Sequence, residues 1–270
     1  MSPHSFPLPL TVNCSIVFGD RPMLERPAAA AAAGFERVEF WWPFDRSVPA
    51  DADVDAFVRA VRDAGVTLTG LNFDAGDMPG GERGILSDPR RATAFADNVE
   101  VAVGIGEQLG TLGFNALYGN RIEGVAAQEQ DELARENLAL AARAAARIGA
   151  VALLEPVSGT AAYPITTAAE AVAVLDAVGS PDLKLLLDVY HLAVNGDDPS
   201  AAIERYADRI GHVQIADAPG RGEPGTGELP IAALVEQVKA AGYTGPVALE
   251  YKPTTAAPFA WLDAFEGARA

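Results

Sequence analysis

Cysteine occurs once in the 270 residues, at Cys14, and histidine three times. A single thiol excludes an internal disulfide and any CxxC metal or redox pair. Cys14 reads as a small buried hydrophobe near the first strand. Basic residues are also scarce: 20 Lys and Arg against 37 Asp and Glu leave a net charge of −17. A surface of that sign repels polyanions and excludes a broad nucleic-acid-binding face. No apolar run approaches the roughly 20 residues of a membrane-spanning helix. The start of the chain has no apolar core of the kind signal peptides carry, so a cytoplasmic location is expected. Residues 2–9 hold three prolines, and residues 1–9 read as a disordered leader. No low-complexity linker or composition break divides residues 10–270, and no GxGxxG phosphate fingerprint follows the first strand.

What is present is 49% hydrophobic residues in a regular alternation of strand and helix signals. Strands are expected over 10–16, 38–40, 66–72, 111–117, 151–154, 183–187, 211–215 and 247–249. Helices are expected over 22–33, 53–64, 88–109, 126–148, 167–178, 199–207, 231–241 and 258–270, several closed by a glycine. Residues 183–187 are apolar at nearly every position, as in a strand buried on both faces of a parallel sheet. Eight β/α units in about 250 residues match the size and rhythm of a closed barrel. The expected fold is α/β: a single (β/α)8 TIM barrel with a closed parallel eight-stranded sheet, spanning residues 10–270.

Four of the late apolar runs end in residues that can bind a metal: VALLE at Glu155, LKLLLD at Asp188, GHVQ at Gln214 and PVALE at Glu250. The carboxyl ends of parallel strands are where ligands bind in such folds. Taken singly, each has a plainer reading: Asp188 as a turn cap, Gln214 as a partner for backbone. Spacings of 33, 26 and 36 residues, about one β/α unit each, bring all four to one mouth. Three carboxylates and one amide oxygen make a hard, oxygen-only site for a divalent cation, Mg²⁺ or Mn²⁺.

The chain also resembles the hydroxypyruvate isomerase family of xylose-isomerase-like barrels over nearly its whole length. The segments that carry the resemblance are NCSIVFGDRPMLERPAAAAAAGFERVEFWWPF, LNFDAGDMPGGERG, LLEPVS, DVYH, HVQIADAPGRGEPGTGE and ALEYKP. It implies a metal held by Glu155, Asp188, Gln214 and Glu250, with Glu155 and Glu250 doubling as acid–base catalysts. The implied reaction interconverts hydroxypyruvate and tartronate semialdehyde through an enediol.

Such a substrate is a small anionic sugar acid, which needs local positive charge in an acidic protein. Arg221, in the glycine-rich loop after the seventh strand, is the leading candidate, followed by Lys252 and Arg83. Glu223 is expected to orient Arg221 or bind a substrate hydroxyl. His191 is expected beside the ligands, with an inert helix-start role as its alternative, and alternation puts His212 on the same face as Gln214. Residues 74–84 form a candidate lid; Trp41 and Trp42 suit a pocket wall, a helix packing site or a subunit contact equally. A homo-oligomer is left open. Rival readings are a 2-oxo-tetronate isomerase and a ketose 3-epimerase, although similar epimerases carry His where this chain has Gln214. Further away stand a metal-free carboxylate-pair hydrolase and a barrel that binds sugar acids without turnover. An endonuclease of the same superfamily would need a histidine-rich metal cluster and a basic face, and both are missing.

Overall fold

The computed structural model of the chain describes residues 6–263. Eight parallel strands close into one barrel in sequence order: β1 (Leu10–Asn13), β2 (Arg37–Phe40), β3 (Thr67–Asn72), β4 (Gly113–Asn115), β5 (Val151–Leu154), β6 (Leu183–Asp188), β7 (Ile210–Ile215) and β8 (Val247–Leu249). The outer layer comprises α1 (Cys14–Val17), α2 (Arg26–Ala32), α3 (Asp51–Asp63), α4 (Ala92–Leu109), α5 (Ala127–Ala146), α6 (Ala168–Val178), α7 (Val189–Val194), α8 (Pro199–Tyr206) and α9 (Ile231–Ala240). The short apolar strands were legible because burial on both faces removes the need for alternation. Phenylalanines seal the space between barrel and helices: Phe73 stacks on Phe114 at 5.4 Å and meets Phe95 edge-on at 5.7 Å. Helix α4 ends where Gly110 takes φ 78°, a left-handed cap that favours glycine. Among the described residues no helix is long and apolar enough to cross a membrane.

Three expectations need correction. Strand β1 stops at Asn13 instead of continuing to residue 16, because the Asn13 side chain accepts from Ser15 N (3.0 Å) and starts α1. A short helix, α7, follows β6 directly, since Asp188 Oδ1 accepts from Tyr190 N (2.8 Å) and His191 N (3.3 Å). Residues 6–9 are no disordered leader: Phe6 and Leu8 are buried in the core, Phe6 meets Trp261 edge-on, and Pro9 O accepts from Val247 N. Residues 1–5 of that leader lie outside the described residues, as does most of the helix expected over 258–270.

Candidate active site

At the carboxyl ends of the strands, oxygens of Glu155, Asp188 and Glu250 and a ring nitrogen of His191 all lie within 4.8 Å of one another. Glu155 directly follows β5, Asp188 ends β6 and Glu250 directly follows β8. Gln214, in β7, is the fourth expected ligand, and its amide nitrogen lies 3.3 Å from Glu250 Oε1. All four side chains are buried.

Polar side chains from the first half of the barrel orient this cluster. Asn115 at the end of β4 donates to Glu155 Oε2 (2.7 Å). Glu250 Oε1 accepts from Asn13 Nδ2 (2.9 Å) and Trp41 Nε1 (2.7 Å). Glu39 in β2 accepts from Asn13 Nδ2 and Gln214 Nε2, and its other oxygen lies 2.8 Å from His212 Nε2. Asn13, Glu39 and Asn115 are not among the residues expected from the sequence, and Trp41 had no single place there, although each lies at or near a strand's carboxyl end, the signal that marks β5 to β8.

Burial without enough counter-charge dominates the electrostatics. Burial, then Glu250 and Asp188, raises the Glu155 carboxyl well above its ordinary value. Glu250 is pushed up to about 7, mainly by burial, against the pull of Arg221. Asp188 is raised by burial, again against Arg221. The Arg221 guanidinium pairs with Glu250 Oε2 and lies 3.9 Å from Asp188 Oδ2. Burial opposes its charge, but Glu250, Asp188 and Glu155 hold it above the usual arginine value. Its backbone takes φ 59°, a left-handed conformation costing roughly 1–2 kcal/mol for a residue with a Cβ. Lys252 N, donating to Arg221 O at 2.7 Å, helps to hold it there.

Two oxygens test whether the residues suit a cation. Asp188 Oδ2 and Gln214 Oε1 are buried without any hydrogen-bond partner, a condition costing about 1–3 kcal/mol per group. Asp188 therefore combines both readings open from sequence: Oδ1 caps α7, and Oδ2 is left for the cluster. Three carboxylates and a free amide oxygen fit a hard divalent cation. His191 is not a suitable fifth ligand. Ser158 N donates to its Nδ1 (2.9 Å), and burial, then Arg221, holds its pKa well below the usual value. The proton of the neutral ring is thus on Nε2, which faces Glu155 Oε1 at 3.8 Å and Asp188 Oδ2 at 3.7 Å. A protonated ring nitrogen donates hydrogen bonds and has no lone pair for a metal.

A cavity of about 1240 Å³ opens above the cluster, with Trp41, Trp42, Phe44 and Met78 among its apolar lining. Arg83 and Lys252 also line it. Arg83 Nη1 donates to Met78 O and Glu82 O, which tethers it within residues 74–84. Glu223, expected either to orient Arg221 or to bind a substrate hydroxyl, is engaged within the protein. It accepts from Thr254 N (2.9 Å) and Thr254 Oγ1 (2.6 Å), so it fastens Arg221's loop to the segment after β8.

A closed parallel barrel with buried carboxylates converging at the carboxyl ends of its strands defines a TIM-barrel enzyme. The chain belongs to the xylose-isomerase-like TIM-barrel family, whose model matches residues 27–269. It is 53% identical to a putative hydroxypyruvate isomerase of Streptomyces coelicolor, over 96% of each chain. It is 34% identical to the hydroxypyruvate isomerase of Escherichia coli (96% of this chain, 99% of that one). It is also 34% identical to the 2-oxo-tetronate isomerase of Cupriavidus necator (94% and 97%). A solved structure described as an AP endonuclease of family 2 from Brucella melitensis superposes with a TM-score of 0.85 at 33% identity, covering 95% of this chain and 99% of that one.

Proposed function

We propose that the protein is a metal-assisted isomerase of a small 2-oxo or hydroxy acid, with hydroxypyruvate as the leading substrate and tartronate semialdehyde as the product. The observation that carries this reading is the pair Glu155 and Glu250, two carboxyls of raised pKa flanking unbonded oxygens of Asp188 and Gln214. The names of the relatives support isomerase chemistry on a sugar acid. Glu155, Asp188, Gln214 and Glu250 would hold Mg²⁺ or Mn²⁺, which supplies Lewis-acid polarisation of the substrate carbonyl when bound. One of the two glutamates removes the proton from the hydroxyl-bearing carbon, and the proton is returned to the former carbonyl carbon. The electron pair left by the C–H bond forms the enediol double bond, so no electron acceptor is needed. His191 Nε2–H donates to a substrate oxygen, and Arg221 balances negative charge beside it. Arg83 and Lys252, among the cations that line the cavity, would receive the substrate carboxylate.

A second reading, a four-carbon 2-oxo-tetronate isomerase, draws on a cavity far larger than a three-carbon acid requires. Nucleic-acid cleavage is disfavoured by the charge of −17 and by a cluster with a single histidine. The test is NMR in D₂O with hydroxypyruvate, first with EDTA and then with Mg²⁺ or Mn²⁺. Metal-dependent deuterium incorporation with formation of tartronate semialdehyde is expected. Exchange only with four-carbon acids selects the second reading; no exchange with either overturns both.

A further inference from the structure

We propose that Glu39 is the positioning residue that makes an amide usable as a cation ligand, by taking the N–H of Gln214 and so presenting Oε1 to the cluster. This rests on the cation site proposed above and concerns how that site is built.

A glutamine side chain offers one acceptor and two donors on opposite branches of the same amide. Only the oxygen can bind a cation, yet beside three carboxylates the NH₂ group is the branch that would be drawn inward. Glu39 takes one of the two N–H donors, the other lying 3.3 Å from Glu250 Oε1, so the oxygen is the branch left unbonded. Glu39 Oε1 lies 2.8 Å from Gln214 Nε2, and a flipped amide would set two acceptors face to face there. The same oxygen accepts from Asn13 Nδ2 at 3.0 Å, while Oε2 lies 2.8 Å from His212 Nε2. Both carboxylate oxygens are thus engaged, and the amide is held through Nε2 while Oε1 stays unbonded.

The barrel is adapted to this side chain. The β2–β3 register shifts between Val38 and Glu39, and the β6–β7 register shifts between Leu185 and Leu186, the latter paired with His212. Such irregularities re-aim side chains, and here they fall at Glu39 and opposite its partner. The residue paired with Glu39 on β3 is Gly70. A Cβ there would lie 3.0 Å from both Glu39 Cβ and Glu39 Oε2, so the adjacent strand leaves room for the carboxylate. Packing alone does not account for it, because an apolar residue would fill a barrel interior without the desolvation cost of a buried carboxylate.

The test is calorimetric titration of MnCl₂ into the full-length, EDTA-stripped protein, with the metal-free melting temperature recorded for each variant. Glu39→Leu removes the acceptor that holds Gln214 Nε2 and is expected to weaken Mn²⁺ binding about 10- to 100-fold, the usual effect of losing an outer-shell partner. The deciding variant is the swap Glu39→Gln with Gln214→Glu. There the new amide at position 39 donates to the new carboxylate at 214 and accepts from His212. The swap should bind Mn²⁺ more tightly than Gln214→Glu alone, although that single variant carries one more negative charge. Mn²⁺ affinity in Glu39→Leu within twofold of wild type overturns the proposal, as does a swap that binds no better than Gln214→Glu alone. If metal-free Glu39→Leu melts early, the swap alone decides. A wild-type protein that binds no Mn²⁺ at millimolar concentration overturns the cation site itself and this role with it.

Discussion

Glu250 shows how one buried carboxylate can be held from two sides. Its Oε1 faces Asn13, Trp41 and Gln214, and its Oε2 faces Arg221. Glu155 has only Asn115 on Oε2, and its pKa is raised because burial and two like charges outweigh that donor and the pull of Arg221. Glu250 therefore ionises at about 7, where a general acid–base catalyst is useful, and Glu155 is raised in the same direction. Replacing either by glutamine removes the proton carrier and keeps the shape. Glu155→Gln or Glu250→Gln should lower kcat about 10²- to 10⁴-fold, the range general acid–base groups supply, measured with hydroxypyruvate under saturating Mn²⁺. Near-wild-type kcat in both variants would remove the proton-transfer assignment. Glu155→Gln should in addition raise the melting temperature of the metal-free protein at pH 8, since it deletes a carboxyl whose burial, marked by its raised pKa, costs stability at that pH.

At the scale of elements, the loop after β7 is built to present Arg221. Asp217 accepts from Ala218 N, Gly225 N and Leu229 N, which closes the loop on itself. Glu223 then ties it to Thr254, and these hydrogen bonds hold the Glu223 carboxyl below its ordinary value although burial works the other way. Glu223→Ala should free the loop and lower kcat/KM on the order of 10- to 100-fold through misplacement of Arg221. Hydrogen exchange should rise over residues 217–229 while the barrel strands stay protected; an unchanged exchange pattern would show that Glu223 anchors nothing. The same loop marks the limit of legibility in the sequence. Strands β5 to β8 and the four candidate ligands at their ends could be read because each is a local pattern, an apolar run followed by a side chain able to coordinate. Glu223 could be placed in the right loop, but its partner Thr254 lies 31 residues away, and nothing local distinguishes a latch from a substrate contact. Glu39 was missed for a related reason. It precedes the last residue of its strand, and its partners His212 and Gln214 are 173 and 175 residues distant, so only closure of the barrel brings them together. Residues 6–9 misled because prolines suggest disorder, whereas Phe6 and Leu8 find apolar cover that only the closed barrel and Trp261 supply.

For the whole molecule, the cluster ties stability to pH and to metal. In the unfolded chain Glu250 ionises near 4.5, and in the folded, metal-free protein at about 7. Between those values the folded state holds more protons, so stability falls as pH rises through the window. Glu155 and Asp188 are raised as well and act in the same sense. His191 has the opposite sign: its pKa is lowered from 6.5, so its contribution is complete above 6.5 and is lost as pH falls below it. Above 6.5 only the carboxylates remain, and the metal-free protein, followed from pH 6.5 to 8, should lose melting temperature most steeply up to about 7, where Glu250 ionises. On the proposed site, saturating Mn²⁺ would bind the ionised folded form in preference to the unfolded chain, adding stability by mass action, and more strongly as pH rises and protons leave the ligands. The two melting curves, recorded by calorimetry across that range, should therefore diverge with increasing pH. Parallel curves with and without Mn²⁺ would mean that the raised carboxylates and the cation do not share one site.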